Sequence, residues 1–217
     1  MALNHNIAAI RKNYAKQALT EASAAADPVD QFNVWLNEAL QAEVDEPTAL
    51  VLATVSADNR PSARVVLLKD VSPQGFAFFT NYDSRKGQEL AQRPAAAITF
   101  FWPALERQVR IEGNVVQVSA EMSDRYFHSR PKGSQIGAWA SAQSVEIESR
   151  EALEEADRQF TERFKDEEII PRPANWGGYQ LQPTQVEFWQ GRPNRLHDRL
   201  LYTQQPDGSW EIKRLAP

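Results

Sequence analysis

Apolar and polar positions change rhythm twice along this chain. Over residues 6–19, Ile7, Ile10, Tyr14 and Ala18 recur at spacings of three and four, which predicts a short amphipathic helix. The Ala/Ser-rich stretch 20–26 reads as a flexible connector. Asp27 and Pro28 then supply an N-cap and a proline at the first helical position, and Phe32, Trp35, Leu36, Ala39 and Leu40 mark one apolar face. After Pro47 the period shortens. Segments 48–56, 62–71, 75–80, 95–102 and 107–118 are alternating or continuously apolar and rich in Val, Ile, Thr and Phe. Turn formers such as Ala57-Asp58-Asn59-Arg60-Pro61 and Ser72-Pro73-Gln74-Gly75 separate them. The pattern predicts short antiparallel strands in a barrel or sandwich. Several strands are apolar on both faces, which calls for covering helices or a partner subunit. Helices return near Ser84, over 120–130, where Arg130-Pro131 ends the helix, and over 150–166, with Ser149 as cap and Leu153, Ala156, Phe160 and Phe164 as stripe. Strands resume at 178–189, 199–204 and 209–215. The expected organisation is an N-terminal helix and flexible segment over 1–26 and one mainly β domain with flanking helices over 27–217.

Composition narrows the chemistry. Among 217 residues there is no cysteine, so disulfides, thiolate zinc sites and cysteine nucleophiles are excluded. The three histidines, His5, His128 and His197, are too scattered for a metal site, and no metal is expected. No apolar run approaches the roughly 20 residues of a membrane span, and the N-terminus lacks the apolar stretch of a secretory signal. A cytoplasmic location is expected. The net charge of −5 opposes a general nucleic-acid binder, yet 17 of the 24 cations are arginine. Arginine carries the planar fork that grips carboxylate and phosphate.

Four constellations could use those forks. In Arg64-Val-Val-Leu-Leu-Lys69 two cations bracket a strand, but period two puts them on opposite faces. Serving one anion would need a bend, or a strand end that releases Lys69. Thr80-Asn81-Tyr82-Asp83-Ser84-Arg85-Lys86-Gly87 joins a strand to a helix N-terminus, where amides and helix dipole suit phosphate, although the Walker spacing is absent. Tyr126 and Arg130 share a helix face, and Ser134 is expected in the loop after Pro131. Finally, Trp189 to Arg199 holds an aromatic ring, arginines, His197 and Asp198. If extended, this segment puts Arg195, His197 and Arg199 on one face, where they would repel unless an anion or electron-rich ring lay opposite. Each also has a plain reading: solvated strand ends, a polar turn, a Tyr packed on an Arg stem, and a charged edge strand.

The last segment carries a resemblance. Glu187-Phe188-Trp189-Gln190, four residues, then Arg195-Leu196-His197-Asp198-Arg199 resembles the signature of the pyridoxamine 5′-phosphate oxidase family. Arg64-Val-Val-Leu-Leu-Lys69, Thr80-Asn81, Ser84-Arg85-Lys86, Glu106-Arg107-Gln108-Val109, Tyr126-Phe-His-Ser-Arg-Pro131, Ser134-Gln-Ile-Gly-Ala-Trp139 and the ending Arg214-Leu-Ala-Pro217 follow in the family's order. The match runs from about Arg11 to the C-terminus.

The resemblance implies an FMN-binding split β-barrel acting as a homodimer, with flavin sites between subunits. It assigns Arg64, Val65, Val66, Leu67, Leu68, Lys69, Phe79, Thr80, Arg85, Lys86, Gln108, Gln143, Ser144, Trp189 and Arg199 to FMN. Lys69, Tyr126, Arg130 and Ser134 fall to the substrate phosphate, and Arg195 and His197 to the pyridine ring. Arg11 and Tyr14 become an N-terminal lid. Phe79 stands where the family can have Tyr, so no hydroxyl contact is expected there. The implied reaction is oxidation of pyridoxamine or pyridoxine 5′-phosphate by oxygen to pyridoxal 5′-phosphate, with hydrogen peroxide and, from the amine, ammonia. Two rival readings are a split-barrel flavoenzyme with another substrate and a flavin-free protein that carries pyridoxal 5′-phosphate.

Overall fold

Asp27 opens the first helix as its sequence requires. Its carboxylate accepts the amides of Val29 and Asp30, and Pro28 takes the first position. The computed structural model describes residues 13–217. In chain order the elements are α1 (Pro28–Gln41), β1 (Ala49–Val55), β2 (Pro61–Leu67), β3 (Asp70–Ser72), β4 (Gly75–Asn81), α2 (Arg85–Gln92), β5 (Ala95–Trp102), β6 (Arg107–Gln117), α3 (Ala120–Ser129), α4 (Lys132–Ala140), α5 (Arg150–Arg163), β7 (Trp176–Gln190), β8 (Asp198–Gln204) and β9 (Trp210–Arg214). The strands form a sheet ordered β2-β1-β5-β6-β7-β4-β3, with β8 beside β7 and β9 beside β8. Among the described residues no helix is long and apolar enough to cross a membrane.

Two compact units emerge. One comprises Met1–Pro47, Phe100–Arg110 and Gln185–Pro217, the other Thr48–Thr99 and Ile111–Thr184. In the first, α1 buries Phe32 against Phe100 at 4.8 Å between ring centroids and Trp35 against Phe188 at 5.2 Å. Arg107, only 3% exposed, is satisfied by Glu38 and Gln190 and lies 4.3 Å over the Trp35 ring. In the second unit, β1 alternates: Leu50, Leu52 and Thr54 are buried while Val51 is exposed. A second cluster joins Phe127, Ile136, Phe164, Ile170 and Trp176.

Three local expectations are corrected. The helix expected over 6–19 is not formed in its described part, residues 13–19; residues 6–12 lie outside the described chain. The amides of Ala15 and Lys16 donate instead to the buried Glu106 carboxylate, at 2.9 and 3.1 Å, so a tertiary partner takes the donors a helix would have used. The strand expected over 62–71 divides at Leu68. Leu68 N–H still donates to Thr48 on the β1 side, and the next amide, Lys69 N–H, donates to Ala77 of β4, both at 2.8 Å. The chain thus changes partners between two residues. The loop expected after Pro131 is helix α4, which buries Gln135 and Ile136; two glycines had masked its period.

Candidate active site

The change of partners at Leu68 resolves the Arg64/Lys69 difficulty. Because β2 ends at Leu67, Lys69 no longer follows strand alternation, and both cations line one cavity of about 680 Å³ in the second unit. The cavity also receives Val65, Val66, Leu67, Phe79, Thr80, Arg85, Lys86, Tyr126, Arg130, Gln143 and Ser144. Leu68 faces the core at 4% exposure and does not line it. Ser134 does not line it either; it sits exposed in the first turn of α4. Asn81, from the Thr80–Gly87 stretch singled out above, lines it too, and Ser62, Ala63 and Trp176 line it unforeseen. Ser62 was within reach of inference, being two residues from Arg64 on the same strand face. Trp176 is almost 50 residues from Arg130, and no local pattern links them.

Phe79, Tyr126 and Trp176 stack, with Phe79–Tyr126 centroids 4.0 Å apart and Phe79–Trp176 5.8 Å apart, forming a flat aromatic wall. The Arg130 guanidinium lies 4.7 Å from the Trp176 ring centre. Its Nη1 is buried without a hydrogen-bond partner. Burial also lowers its pKa, with Tyr126 acting the other way. A buried, unpartnered guanidinium nitrogen is costly, and an anion in the cavity would satisfy it.

At the other end, Ser84 caps α2 by accepting the Gly87 amide. Lys86 Nζ is held by Thr80 Oγ1 at 2.8 Å, Ser84 Oγ at 3.1 Å and Gln143 Oε1 at 2.7 Å. Burial first and the Arg64 charge second push its pKa down to about 8. Lys86 is therefore charged below about pH 8 and loses its proton above it. A phosphate monoester held by Lys86 is expected to bind with level affinity up to that point and then to lose as much as about tenfold per pH unit; a binding titration from neutral to alkaline pH checks this, and a level profile would show that Lys86 does not contact the phosphate.

Gly87 makes this corner possible. A Cβ there would stand 2.1 Å from the Tyr82 carbonyl oxygen. Within an ordinary helix Gly→Ala stabilises by about 1 kcal/mol. Here Gly87→Ala is expected to destabilise by about 2 kcal/mol, because backbone rather than a flexible side chain must move. A thermal melt reads the sign.

In the first unit, the N–H of Arg192 donates to His197 Nδ1 at 3.1 Å. Burial and then the Arg195 charge lower the His197 pKa. The imidazole is thus neutral at neutral pH, with its proton assigned to Nε2 by the bond at Nδ1. Its ring lies 4.5 Å from Trp189 and 5.9 Å from Tyr14. Tyr14 is held there because the adjacent amides bond Glu106. Arg199 grips Glu187 at 2.8 and 3.1 Å, and Gln108 is half-buried on β6.

The common face expected for Arg195, His197 and Arg199 is not formed. Pro193–Arg195 is a 3₁₀ turn with Asn194 at φ 57° and Arg195 at φ 63°, and β8 starts only at Asp198. Asn accepts the left-handed region more readily than most residues, and Leu196 N–H closes the turn on Pro193 at 3.1 Å. Arg195 is left exposed. Arg11 lies outside the described residues.

A cation-rich cavity with a flat aromatic wall suits a phosphorylated, planar cofactor. Comparison with known proteins agrees. Residues 36–189 match the family model described as pyridoxamine 5′-phosphate oxidase, and 176–217 match the pyridoxine 5′-phosphate oxidase C-terminal dimerisation region. The chain is 58% identical over 214 residues to the pyridoxine/pyridoxamine 5′-phosphate oxidase of Burkholderia multivorans, covering 97% of this chain and 99% of the relative. A Cyanothece protein of the same name is 56% identical, with 98% and 99% covered. Among solved structures, PhzG of Burkholderia lata 383, bound to tetrahydrophenazine-1-carboxylic acid, has a TM-score of 0.86 at 32% identity, covering 92% of this chain and 98% of its own. An FMN-binding protein of Nostoc punctiforme shares the fold, with a TM-score of 0.70 at 19% identity over 89% of this chain and all of its own.

The chain is an oxidoreductase on the split β-barrel fold, with FMN as its cofactor. It belongs to the pyridoxamine 5′-phosphate oxidase family.

Proposed function

We propose that this enzyme oxidises pyridoxamine 5′-phosphate and pyridoxine 5′-phosphate to pyridoxal 5′-phosphate, with oxygen as acceptor, hydrogen peroxide as by-product and ammonia released from the amine. It acts in the cytoplasm, in vitamin B6 synthesis and salvage, as a homodimer with flavin sites between subunits. The observation that carries this reading is the cavity lined by Arg64, Lys69, Arg85, Lys86 and Arg130. Five cations exceed what one phosphate requires and match two phosphate esters, one on the cofactor and one on the substrate.

FMN, when bound, would supply the two-electron redox chemistry between the substrate and oxygen. The protein's part is binding and orientation. Arg64, Arg85 and Lys86 neutralise the flavin phosphate, with Thr80, Gln143, Ser144 and the 65–68 backbone around it. Lys69, Tyr126 and Arg130 take the substrate phosphate; Ser134, exposed on α4 and outside the cavity lining, is given no part. Gln108, Trp189 and Arg199, some of them contributed by the partner subunit, serve the flavin; Arg195 is assigned to the pyridine ring, which it would hold in reacting register, and Arg11 and Tyr14 to an N-terminal lid. His197, its Nδ1 engaged by the Arg192 amide, donates a hydrogen bond from Nε2–H to a substrate oxygen rather than withdrawing a proton through Nδ1.

The test is to mix the FMN-loaded protein with pyridoxamine 5′-phosphate in air and follow aldehyde and peroxide. Equal amounts of both, with no turnover of unphosphorylated pyridoxamine, are expected. A flavin-loaded preparation yielding neither would sink the reading. The likeness to PhzG motivates a second substrate arm, a reduced tricyclic phenazine carboxylate. Turnover of that compound in place of the phosphorylated amine would transfer the assignment to phenazine chemistry.

A further inference from the structure

Glu89 is a buried carboxylate to which the chemistry above gives no part. It sits on α2 at 5% exposure, behind the cavity wall rather than in the lining. Its Oε1 accepts Arg85 Nε at 2.9 Å. Its Oε2 accepts Arg64 Nη2 at 3.2 Å, Ser62 Oγ at 2.7 Å and Thr54 Oγ1 at 2.5 Å. Burial alone would push this carboxyl up, but the bonds from Thr54, Ser62, Arg85 and Arg64 outweigh it and bring the pKa down to about 2. The carboxylate is ionised at any working pH.

The arrangement treats the two arginines differently. Arg64 is half-buried and held from several sides: Thr54, Ser62 and Glu89 all bond its guanidinium. Arg85 is anchored at Nε alone, its side chain 63% exposed, and neither Nη bonds a described residue. An arginine so exposed would lose much rotamer freedom on gripping a phosphate. One bond at Nε removes part of that loss beforehand and leaves the two-pronged outer edge free for a bidentate grip.

We infer that Glu89 is a positioning residue for the cofactor's phosphate: from behind the wall it holds Arg64 and Arg85 so that their guanidinium groups meet the phosphate preformed. The inference rests on the FMN reading above and names the residue that sets how strongly the phosphate, as distinct from the ring system, contributes. Simple electrostatics gives the opposite sign, since deleting an anion beside two cations should strengthen phosphate binding. The sign of the change is therefore diagnostic.

Glu89→Gln keeps shape and removes charge. The flavin-free protein and this variant would each be titrated with FMN and with riboflavin, which lacks the phosphate. We expect the variant to bind FMN about tenfold more weakly, equivalent to about 1.4 kcal/mol, with riboflavin affinity within about twofold of the parent. A purely structural carboxylate would weaken both ligands together, and that result would overturn the inference, as would unchanged or tighter FMN binding. If the parent itself failed to bind FMN, the flavin reading would fall and this inference with it. Should Glu89→Gln not fold, Thr54→Val removes a hydroxyl that orients both Glu89 and Arg64 without touching the cavity, at a β-strand position where Val is well tolerated. Its expected signature is the same, a several-fold loss confined to FMN, and equal FMN-to-riboflavin ratios in variant and parent would overturn the inference.

Discussion

Replacing Arg130 with Met is expected to raise the KM for pyridoxamine 5′-phosphate by about 100-fold while FMN stays bound. The Arg130 guanidinium rests on the Trp176 ring, and its Nη1 is buried with no partner. A phosphate would supply that partner. Each charge-assisted hydrogen bond to it contributes about 1.5–3 kcal/mol, and tenfold in affinity corresponds to about 1.4 kcal/mol. Loss of one or two such bonds gives the stated factor. Met keeps an unbranched, apolar side chain beside Trp176 in place of the guanidinium, so the fold should survive, and a melting curve confirms that. Steady-state kinetics with phosphorylated substrate, beside a flavin absorbance spectrum, checks both halves. An unchanged KM would remove Arg130 from the substrate site.

Arg195→Leu is expected to slow flavin reduction by about 100-fold without releasing flavin. Arg195 is exposed, at the end of a turn whose last two residues both have positive φ. Such conformations cost about 1–3 kcal/mol each and persist where the surroundings over-determine them. Here Pro193, the Leu196 amide and the Arg192–His197 bond do so. Nothing in the core requires the guanidinium, so its removal should leave stability nearly unchanged. If it instead stacks on the pyridine ring, its loss affects the register of hydride transfer, where small misplacements cost about 100-fold. Anaerobic mixing with pyridoxamine 5′-phosphate, followed by flavin absorbance, measures the rate. Arg195→Lys should fall between the two, because Lys keeps the charge but not the plane. An unchanged reduction rate in Arg195→Leu would take Arg195 out of the site.

How much of this was legible beforehand depended on how local the cause was. Asp27-Pro28 and Ser84 announced α1 and α2 because capping involves atoms only two or three residues apart. The strands were legible because Val, Ile and Phe alternate or run continuously over their whole length. α4 was not, since Gly133 and Gly137 break the apolar period and its reason for folding is Ile136 meeting Phe127 and Trp176. The helix expected through Tyr14 failed in its described part for a similar reason: its donors are taken by Glu106, about 90 residues away.

The sequence by itself determined the type of most elements, though not of α4 or of the segment through Tyr14, the arginine-rich chemistry and, through ordered motifs, the family. Each of these depends on neighbours in the chain or on residue identity alone. Only the tertiary structure decided that Arg64 and Lys69 face one cavity, because that required β2 to end at Leu67 and the chain to change pairing partners. It alone brought Trp176 under Arg130 and set Glu89 behind Arg64 and Arg85. It also showed that Arg195, His197 and Arg199 do not share a strand face, because Asn194 and Arg195 turn the backbone left-handed first. Pairing partners, burial and a reversal of φ are properties of the folded chain, where distant segments compete for the same donors, and no local period records them.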